Sequence, residues 1–447
     1  MLELELEVLK RITPTEQETS EVAHVCEELL KKAADLIKNL DTEALPLVVG
    51  SVAKGTWLKN PDIDIFILFQ KHLERKKLEG YGIEIGRKIL HGGELRYAEH
   101  PYTSGVYRGY EIDIVPCYKI ERASERMTAV DRTPLHTKYI LENLPEEQKK
   151  DVRLLKQFLK GINCYGAEAQ IQGFSGYLCE LLILYYKNFK NLLHAVGNWK
   201  LPKRIELVKS SAAFDNSLVV IDPVDPSRNV ASALSIQNLS VFIHACKEYL
   251  KNPGLEFFFP NEPKPLSKSE LIKKLKLLGT TIIAVEFENP YIIHDNLYPQ
   301  LRKCVQAILQ LCKEHEFKII NSNFYVDTKN VLITLEFEIF KLPNMKKHLG
   351  PIVWSKNSTK FLTKWLASEK ALSKPYIEND RWVVNVKRDY LTAEELIRSK
   401  LKSLSLGKDI DANIKKGFKI IGIEQLASTK YRNYISAFLD KRFRWKY

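Results

Sequence analysis

Apolar residues recur at helical spacing through ITPTEQETSEVAHVCEELLKKAADLIKNL, from Ile12 to Leu40, so one face of a helix is meant for burial. Thr13, Pro14 and Glu16 supply a start signal at its head. The pattern then changes. ALPLVVG (Ala44 to Gly50) and DIDIFILF (Asp62 to Phe69) are short apolar runs of strand length. ERKKLEGYGIEIGRKIL reads as a helix interrupted by glycines. ELRYAEHPY and YEIDIVPCY read as two more strands, with Ser104-Gly105 and Arg108-Gly109 as turn signals between them. The opening segment is thus a small α+β unit with a mostly antiparallel sheet.

From about Glu142 the helical period takes over. EEQKKDVRLLKQFLKGI, SGYLCELLILYYKNFKNLLHAVGNW and ASALSIQNLSVFIHACKEYLKN predict three helices, the second capped by Ser175. The proline-rich FFFPNEPKPLSKSE marks a boundary, beyond which TTIIAVEF, DNLYPQLRKCVQAILQLCKEHE, KIINSNFYV and NVLITLEFEIF predict strand, helix, strand, strand. The chain is accordingly an α+β multidomain protein. Residues 1–140 form an α+β head, 141–256 a helical neck, and 257–447 an α/β, RNA-binding-like body and tail.

Composition adds two constraints. The seven cysteines are scattered without paired spacing, which reads as buried thiols. No apolar run reaches the length of a membrane span, and nothing in MLELELEVLKRITP marks the chain for export, so the expected setting is cytoplasmic, without a membrane. Charge says more. Lys and Arg outnumber Asp and Glu by 68 to 55, and the surplus is unevenly spread. Between Lys341 and Lys374 stand eight lysines and a single acid, Glu369, with Trp354, Phe361 and Trp365 interleaved. The last 18 residues hold six Lys or Arg and six aromatics. Such a mixture suits a nucleic-acid backbone and its bases, although the same aromatics also fit the buried faces of amphipathic helices.

The chemistry begins in GSVAKGTWLKNPDIDIFILF. Residues two apart on a strand share a face, so Asp62 and Asp64 point one way while Ile63 and Ile65 point into a core. Two adjacent carboxylates repel unless a cation separates them. Asp113 in YEIDIVPCY repeats the pattern between Ile112 and Ile114. If its strand lies beside the first, three hard oxygen ligands converge, a set suited to Mg²⁺. Upstream, Gly50 ends a strand and Ser51 opens a short helix whose N–H groups and hydroxyl suit a phosphate, with Lys54 adding charge.

Gly-Ser after a strand, D-x-D a dozen residues later and a third strand aspartate about fifty further on resemble the polymerase-β-like nucleotidyltransferase superfamily. RYAEHPY, AVDRTPLH, VRLLKQFLKG, CYGAEAQIQGFSGYLCELLI, DPVDPSRNVASALS and HDNLYPQL narrow the likeness to the archaeal, class I CCA-adding enzymes. The resemblance implies a polymerase-β-like nucleotidyltransferase head and a helical, nucleotide-binding neck. It implies template-independent addition of CCA to the 3′ end of tRNA from CTP and ATP, with two Mg²⁺ ions and release of pyrophosphate. It assigns the metals and the catalysis to Asp62, Asp64 and Asp113. Ser51, Lys54, Lys156 and Tyr165 would hold the triphosphate, His136 would line the nucleotide pocket, and Arg228 would face the base. It also suggests a homodimer. Many relatives have Arg where Lys54 stands, and the connection from Ser51 to Asp62 is shorter than in some. A poly(A) polymerase, an oligoadenylate synthetase or an inactive RNA-binding scaffold of the same fold would share much of this head. Several of these residues also have plain structural readings: His136 and His100 as core histidines, Tyr165 as a helix-end aromatic, and Arg228 as a bridge to Asp222 or Asp225. Glu99 lies near the aspartates in the pattern and takes no assignment.

Overall fold

The computed structural model describes residues 2–97 and 100–446; Glu99 lies outside them. The chain divides into two compact units, Met1–Glu262 with Arg442–Tyr447, and Pro263–Lys441. Head and neck segments therefore share the first unit, and the last few residues return to it rather than staying with the body.

The first unit opens with α1 (Glu3–Ile12) and α2 (Glu16–Ile37). The start signal of α2 sits two residues later than the sequence suggested. Thr15 caps the helix, accepting from the Glu18 amide while the Glu18 carboxylate accepts from the Thr15 amide. There follow β1 (Ala44–Val49), the five-residue α3 (Gly50–Lys54), β2 (Ile63–Phe69), α4 (Arg75–Ile89), β3 (Glu94–Tyr97), β4 (Pro101–Tyr107) and β5 (Tyr110–Tyr118). The strands make one sheet in the order β1-β2-β5-β4-β3, antiparallel except where β2 runs parallel to β5. Ser104-Gly105 is not a turn but mid-strand in β4. Glycine at 105 allows close approach, since a Cβ there would lie a tight 3.3 Å from the Cα of Gly93 and from the Cβ of Leu90. The chain turns at Arg108-Gly109 instead, where both φ angles are positive. One face of the sheet carries Ile63, Ile65, Ile112 and Ile114 into a core shared with α2 and α4.

The neck comprises α5 (Thr133–Asn143), α6 (Lys149–Gly161), α7 (Gly176–Tyr186), α8 (Phe189–Gly197), the short parallel pair β6 (Lys203–Glu206) and β7 (Leu218–Ile221), and α9 (Ile236–Lys251). Ser175 caps α7 as expected, accepting from the Leu178 amide. The long middle helix of the sequence reading is two helices. Lys187 takes φ 75° and Asn188 caps the new start, so the chain breaks where no glycine or proline announces it. The β6-β7 pair carried no signal recognised in the sequence. Phe158 is ringed by Phe189, Phe242, Tyr249, Phe257 and Phe258 in the neck core. Trp445 from the C-terminal segment stacks on Phe257 and donates its indole N–H to Glu248 at 2.6 Å.

The second unit starts with α10 (Lys268–Leu278), a helix the sequence reading did not include, and then follows the expected order of strand, helix, strand, strand in β8 (Thr281–Glu288), α11 (His294–Glu314), β9 (Lys318–Val326) and β10 (Asn330–Ile339). It continues through β11 (Met345–Ile352), α12 (Ser358–Leu366), β12 (Tyr376–Glu378), β13 (Arg381–Lys387), α13 (Ala393–Lys400), α14 (Lys408–Lys416), β14 (Lys419–Gly422), α15 (Ile423–Leu426) and α16 (Arg432–Leu439). Two antiparallel sheets result, β14-β8-β10-β9 and β11-β13-β12. Of the basic stretch's aromatics, Trp365 is buried against His348, Phe361 is half-buried, and Trp354 is 78% exposed. Near the C-terminus, Tyr431, Phe438 and Trp445 are likewise core residues. All seven cysteines are buried and unpaired, and among the described residues no helix is long and apolar enough to cross a membrane.

Candidate active site

Parallel pairing of β2 with β5 sets Asp64 directly opposite Asp113, with Ile63 opposite Ile112 and Ile65 opposite Ile114. The isoleucines are fully buried on the far face, so the aspartates emerge together on the near one. Asp62, one residue before β2 begins, is exposed at its mouth, while Asp64 and Asp113 are half-buried. Burial, reinforced by the charges of Asp113 and Asp62, pushes Asp64 up to about 7, against only Lys54 pulling it down. Burial also raises Asp62 and Asp113, with Glu111 adding repulsion to both. Arg96 opposes both shifts, and the Ser104 hydroxyl, opposite Asp113 on β4, hydrogen-bonds its carboxylate.

Gly50 explains how the carboxylate of Asp64 fits. It takes φ 72°, and a Cβ there would fall 2.1 Å from Asp64 Oδ2, so this position is closed to any side chain on both counts. Among the described residues no three His, Cys, Asp or Glu side chains are drawn together as a ready metal centre. The donor set nonetheless fits a hard divalent cation: all three carboxylates are raised by burial, Asp64 further by Asp113 and Asp62, and Asp62 by Glu111 and Asp113, with too little positive charge nearby to offset it.

The positive groups are engaged elsewhere. Ser51 lies half-buried in α3, which is too short for an appreciable macrodipole, and Gly55 ends it in a left-handed conformation. Lys54 is buried, its Nζ 2.6 Å from Glu180 Oε2. Lys156 on α6, also buried, donates to the Thr56 carbonyl at 3.0 Å and the Thr56 hydroxyl at 3.1 Å, and lies 3.6 Å from Glu180 Oε1. Thr56 in turn donates to Glu180 Oε1 at 2.5 Å. Arg153 fixes this loop by donating to the carbonyls of Gly55 and Trp57. A Cβ on Gly176 would sit 3.2 Å from the Tyr165 hydroxyl and 3.6 Å from Lys156 Nζ, which places those two groups together at the start of α7. Burial pushes the Tyr165 phenol up, so it stays protonated, and Lys160 lies 5.5 Å over its ring.

A second charged cluster lies beside the lysines. Asp222, fully buried, accepts from His136 Nε2 at 2.8 Å, Arg228 Nη1 at 2.9 Å, the Tyr177 hydroxyl at 3.1 Å and the Val224 amide at 3.0 Å. Burial works to raise Asp222, but these donors outweigh it and hold the carboxyl below its ordinary value. Burial lowers His136, which is therefore neutral at pH 7 and carries its proton on Nε2, facing the carboxylate. The imidazole stacks on Tyr177 at 4.1 Å, and the Tyr177 ring lies 5.7 Å from Lys54 Nζ. Asp225 is taken by Arg126 and Arg132, leaving Asp222 as the partner of Arg228.

The nine residues singled out in the sequence are thus connected through one region of the first unit. Glu180, Thr56 and Tyr177 were not singled out there. Glu180 had a legible signal, as the one charged residue in the otherwise apolar GYLCELLILYY. His100 is buried, and among the described residues neither of its ring nitrogens has a hydrogen-bond partner.

Three family models match the chain: a nucleotidyltransferase domain over residues 26–136, the second domain of tRNA nucleotidyltransferases over 150–259, and the C-terminal domain of CCA-adding enzymes over 278–422. The chain is 40% identical over 443 residues to a CCA-adding enzyme of Methanosarcina barkeri, covering 97% of each. It is 39% identical to one of Thermoplasma volcanium, covering 94% of this chain and 93% of that one. Among solved structures, the Cid1 poly(U) polymerase superposes with a TM-score of 0.46 at 14% identity, covering 56% of this chain and 94% of that one.

Proposed function

This chain belongs to the CCA-adding enzymes, and on that premise we propose that it builds the tRNA 3′ end by attack of the terminal hydroxyl on the α-phosphate of CTP and then ATP, releasing pyrophosphate. The observation that carries the reading is the register of β2 and β5, which sets Asp64 against Asp113 with Asp62 at the strand mouth. In this reading Asp62, Asp64 and Asp113 would hold two Mg²⁺ ions. Bound there, the ions would neutralise the triphosphate and acidify the attacking hydroxyl. Asp113, whose carboxylate is hydrogen-bonded to Ser104, would draw the hydroxyl proton in this reading.

Ser51, Lys54, Lys156 and Tyr165 hold the triphosphate by hydrogen bond and charge. His136 remains neutral and, with Tyr177, shapes the pocket wall. Arg228, held by Asp222 with its side chain 31% exposed, presents its remaining N–H groups to the base. A cavity of about 370 Å³ is lined by Arg96, Glu111 and Ser104, the last paired with Asp113 across the sheet, and in this reading it takes the incoming RNA end. The basic, aromatic-bearing second unit grips the tRNA by its backbone and shape.

The test is incubation with tRNA lacking CCA and each labelled nucleotide, separately and together. Ordered addition of C, C and A followed by arrest is expected. Unlimited addition of A would identify a poly(A) polymerase, and no addition an inactive RNA-binding scaffold; either outcome sinks the proposal.

A further inference from the structure

Glu180 is the least expected charge in the first unit. It stands in the middle of an apolar helix with no exposed surface, where an unpaired carboxylate is strongly unfavourable. Its partners come from three separate stretches: Lys54 at the end of α3, Thr56 in the following loop, and Lys156 on α6. Both its oxygens are used, Oε2 by Lys54 and Oε1 by Thr56 and Lys156.

One carboxylate set against two lysines leaves a formal charge of +1, with burial and the neighbouring Lys54 drawing the Lys156 ammonium down and Glu180 holding it up. That surplus lies at the end of α3, whose first residue, Gly50, packs directly against the Asp64 carboxylate and whose preceding residue, Val49, pairs with Asp64 across the sheet. It is therefore a fixed cation beside an anionic, metal-fitting cluster, the arrangement a metal-bound polyphosphate needs. Lysine side chains are long and lose much rotamer freedom on binding an anion. Here that freedom is already spent, because Glu180 and the Thr56 carbonyl hold both Nζ atoms before any nucleotide arrives. Without Glu180 the two ammonium groups would repel each other and swing apart.

We propose that Glu180 is a positioning residue for nucleotide binding: it holds Lys54 and Lys156 together and aimed at the triphosphate, without touching the nucleotide itself. The inference rests on the nucleotidyltransferase reading and adds to it the anion that pre-orders its cations.

The full chain carrying Glu180→Gln keeps the shape of the side chain and removes its charge. Affinities for CTP and for inorganic tripolyphosphate, each with Mg²⁺, are read by titration calorimetry, and tRNA affinity by filter binding. We expect both phosphate ligands to bind about tenfold more weakly, with tRNA affinity within about twofold of wild type. In a Lys54→Met/Lys156→Met background the same substitution should cause no further loss, since Glu180 acts through those lysines. Unchanged or tighter tripolyphosphate binding by Glu180→Gln overturns the role. An equal loss in the lysine-free background also overturns it, because a general structural defect behaves that way. If Glu180→Gln does not fold, Glu180→Asp is read by the same criteria, with a smaller loss expected. A wild-type chain that binds neither CTP nor tripolyphosphate would count against the nucleotidyltransferase reading itself; wild-type binding with an unaffected variant counts against Glu180 alone.

Discussion

The first unit holds two clusters built around aspartates, and they solve opposite electrostatic problems. Asp222 is surrounded by His136, Arg228, Tyr177 and an amide, each donating to it, so its charge is fully answered from within the chain. Asp62, Asp64 and Asp113 face one another, with Lys54 the single group among the described residues pulling Asp64 down, and that lysine's ammonium is already paired with Glu180. An answered carboxylate is a fastener; it holds elements at a fixed angle. A group of three answered only in part, by Arg96, Ser104 and Lys54, is on the proposed function a receptor, left short of positive charge so that something from outside can supply it. On the proposed function, the same residue type thus works as structure in one cluster and as chemistry in the other.

The strongest test of this contrast is catalytic. Asp113→Ala should lower C and A incorporation at least about a thousandfold, some 4 kcal/mol of transition-state stabilisation, with tRNA affinity unchanged. Single-turnover assays and filter binding on one preparation would check it. Appreciable turnover would break the assignment of chemistry to this cluster.

Stability should then separate the two clusters by sign. Asp222→Asn leaves Arg228 without its counter-charge and His136 with a weaker acceptor. Breaking a buried pair costs about 3–5 kcal/mol, and since the Arg228 side chain is 31% exposed, a loss nearer about 2–3 kcal/mol is expected by denaturant titration. Asp64→Asn should do the reverse and stabilise the metal-free protein. Asp64 is raised in the folded state, so relative to a neutral side chain it is harmless below its unfolded value near 4. It becomes a burden as pH rises toward about 7. The stability gap between Asp64→Asn and wild type in a chelating buffer should therefore open between about pH 4 and 7, to about 1–2 kcal/mol after allowance for partial solvent access. Added Mg²⁺ should close it. An Asp64→Asn protein less stable than wild type at pH 8 in chelator would show that the cluster is not strained by its own charge.

How far these clusters were visible beforehand follows from the same contrast. The three aspartates were legible because each breaks an apolar strand pattern, and a strand's period of two states which face a residue takes. Glu180 broke the apolar pattern of α7 in the same way and went unread, since in a helix that is buried all round the period does not say what a charge will meet. The stacking of His136 on Tyr177 depends on the approach of α5 to α7, which no local pattern encodes. Local conformation misled in two places. Ser104-Gly105 has turn composition but serves close packing inside β4, and the break at Lys187 occurs at a residue with no turn preference. Family likeness supplied the assignments of Lys156, Tyr165 and Arg228; their own sequence surroundings did not.

The aromatics of the second unit show the limit of composition most directly. Trp354 and Trp365 lie in the same lysine-rich stretch, and pattern alone treats them alike. Trp365 packs against His348 and Phe361 and is 9% exposed, so its truncation should cost about 3 kcal/mol of stability, as for a large core side chain. Trp354, at 78%, has little packing to lose, and Trp354→Ala should leave stability within about 0.5 kcal/mol. Its expected effect is on RNA. An exposed indole among lysines can stack on a base or ribose, a contact worth about 1–3 kcal/mol where fully made and less on a structured arm. A threefold to tenfold weakening of tRNA binding is therefore expected, about 1 kcal/mol, persisting at high salt because stacking releases no counterions. Lysine substitutions nearby should instead flatten the salt dependence. If Trp354→Ala binds tRNA as wild type does at every salt concentration, the exposed aromatic belongs to some other surface function, and the grip on tRNA rests on charge alone.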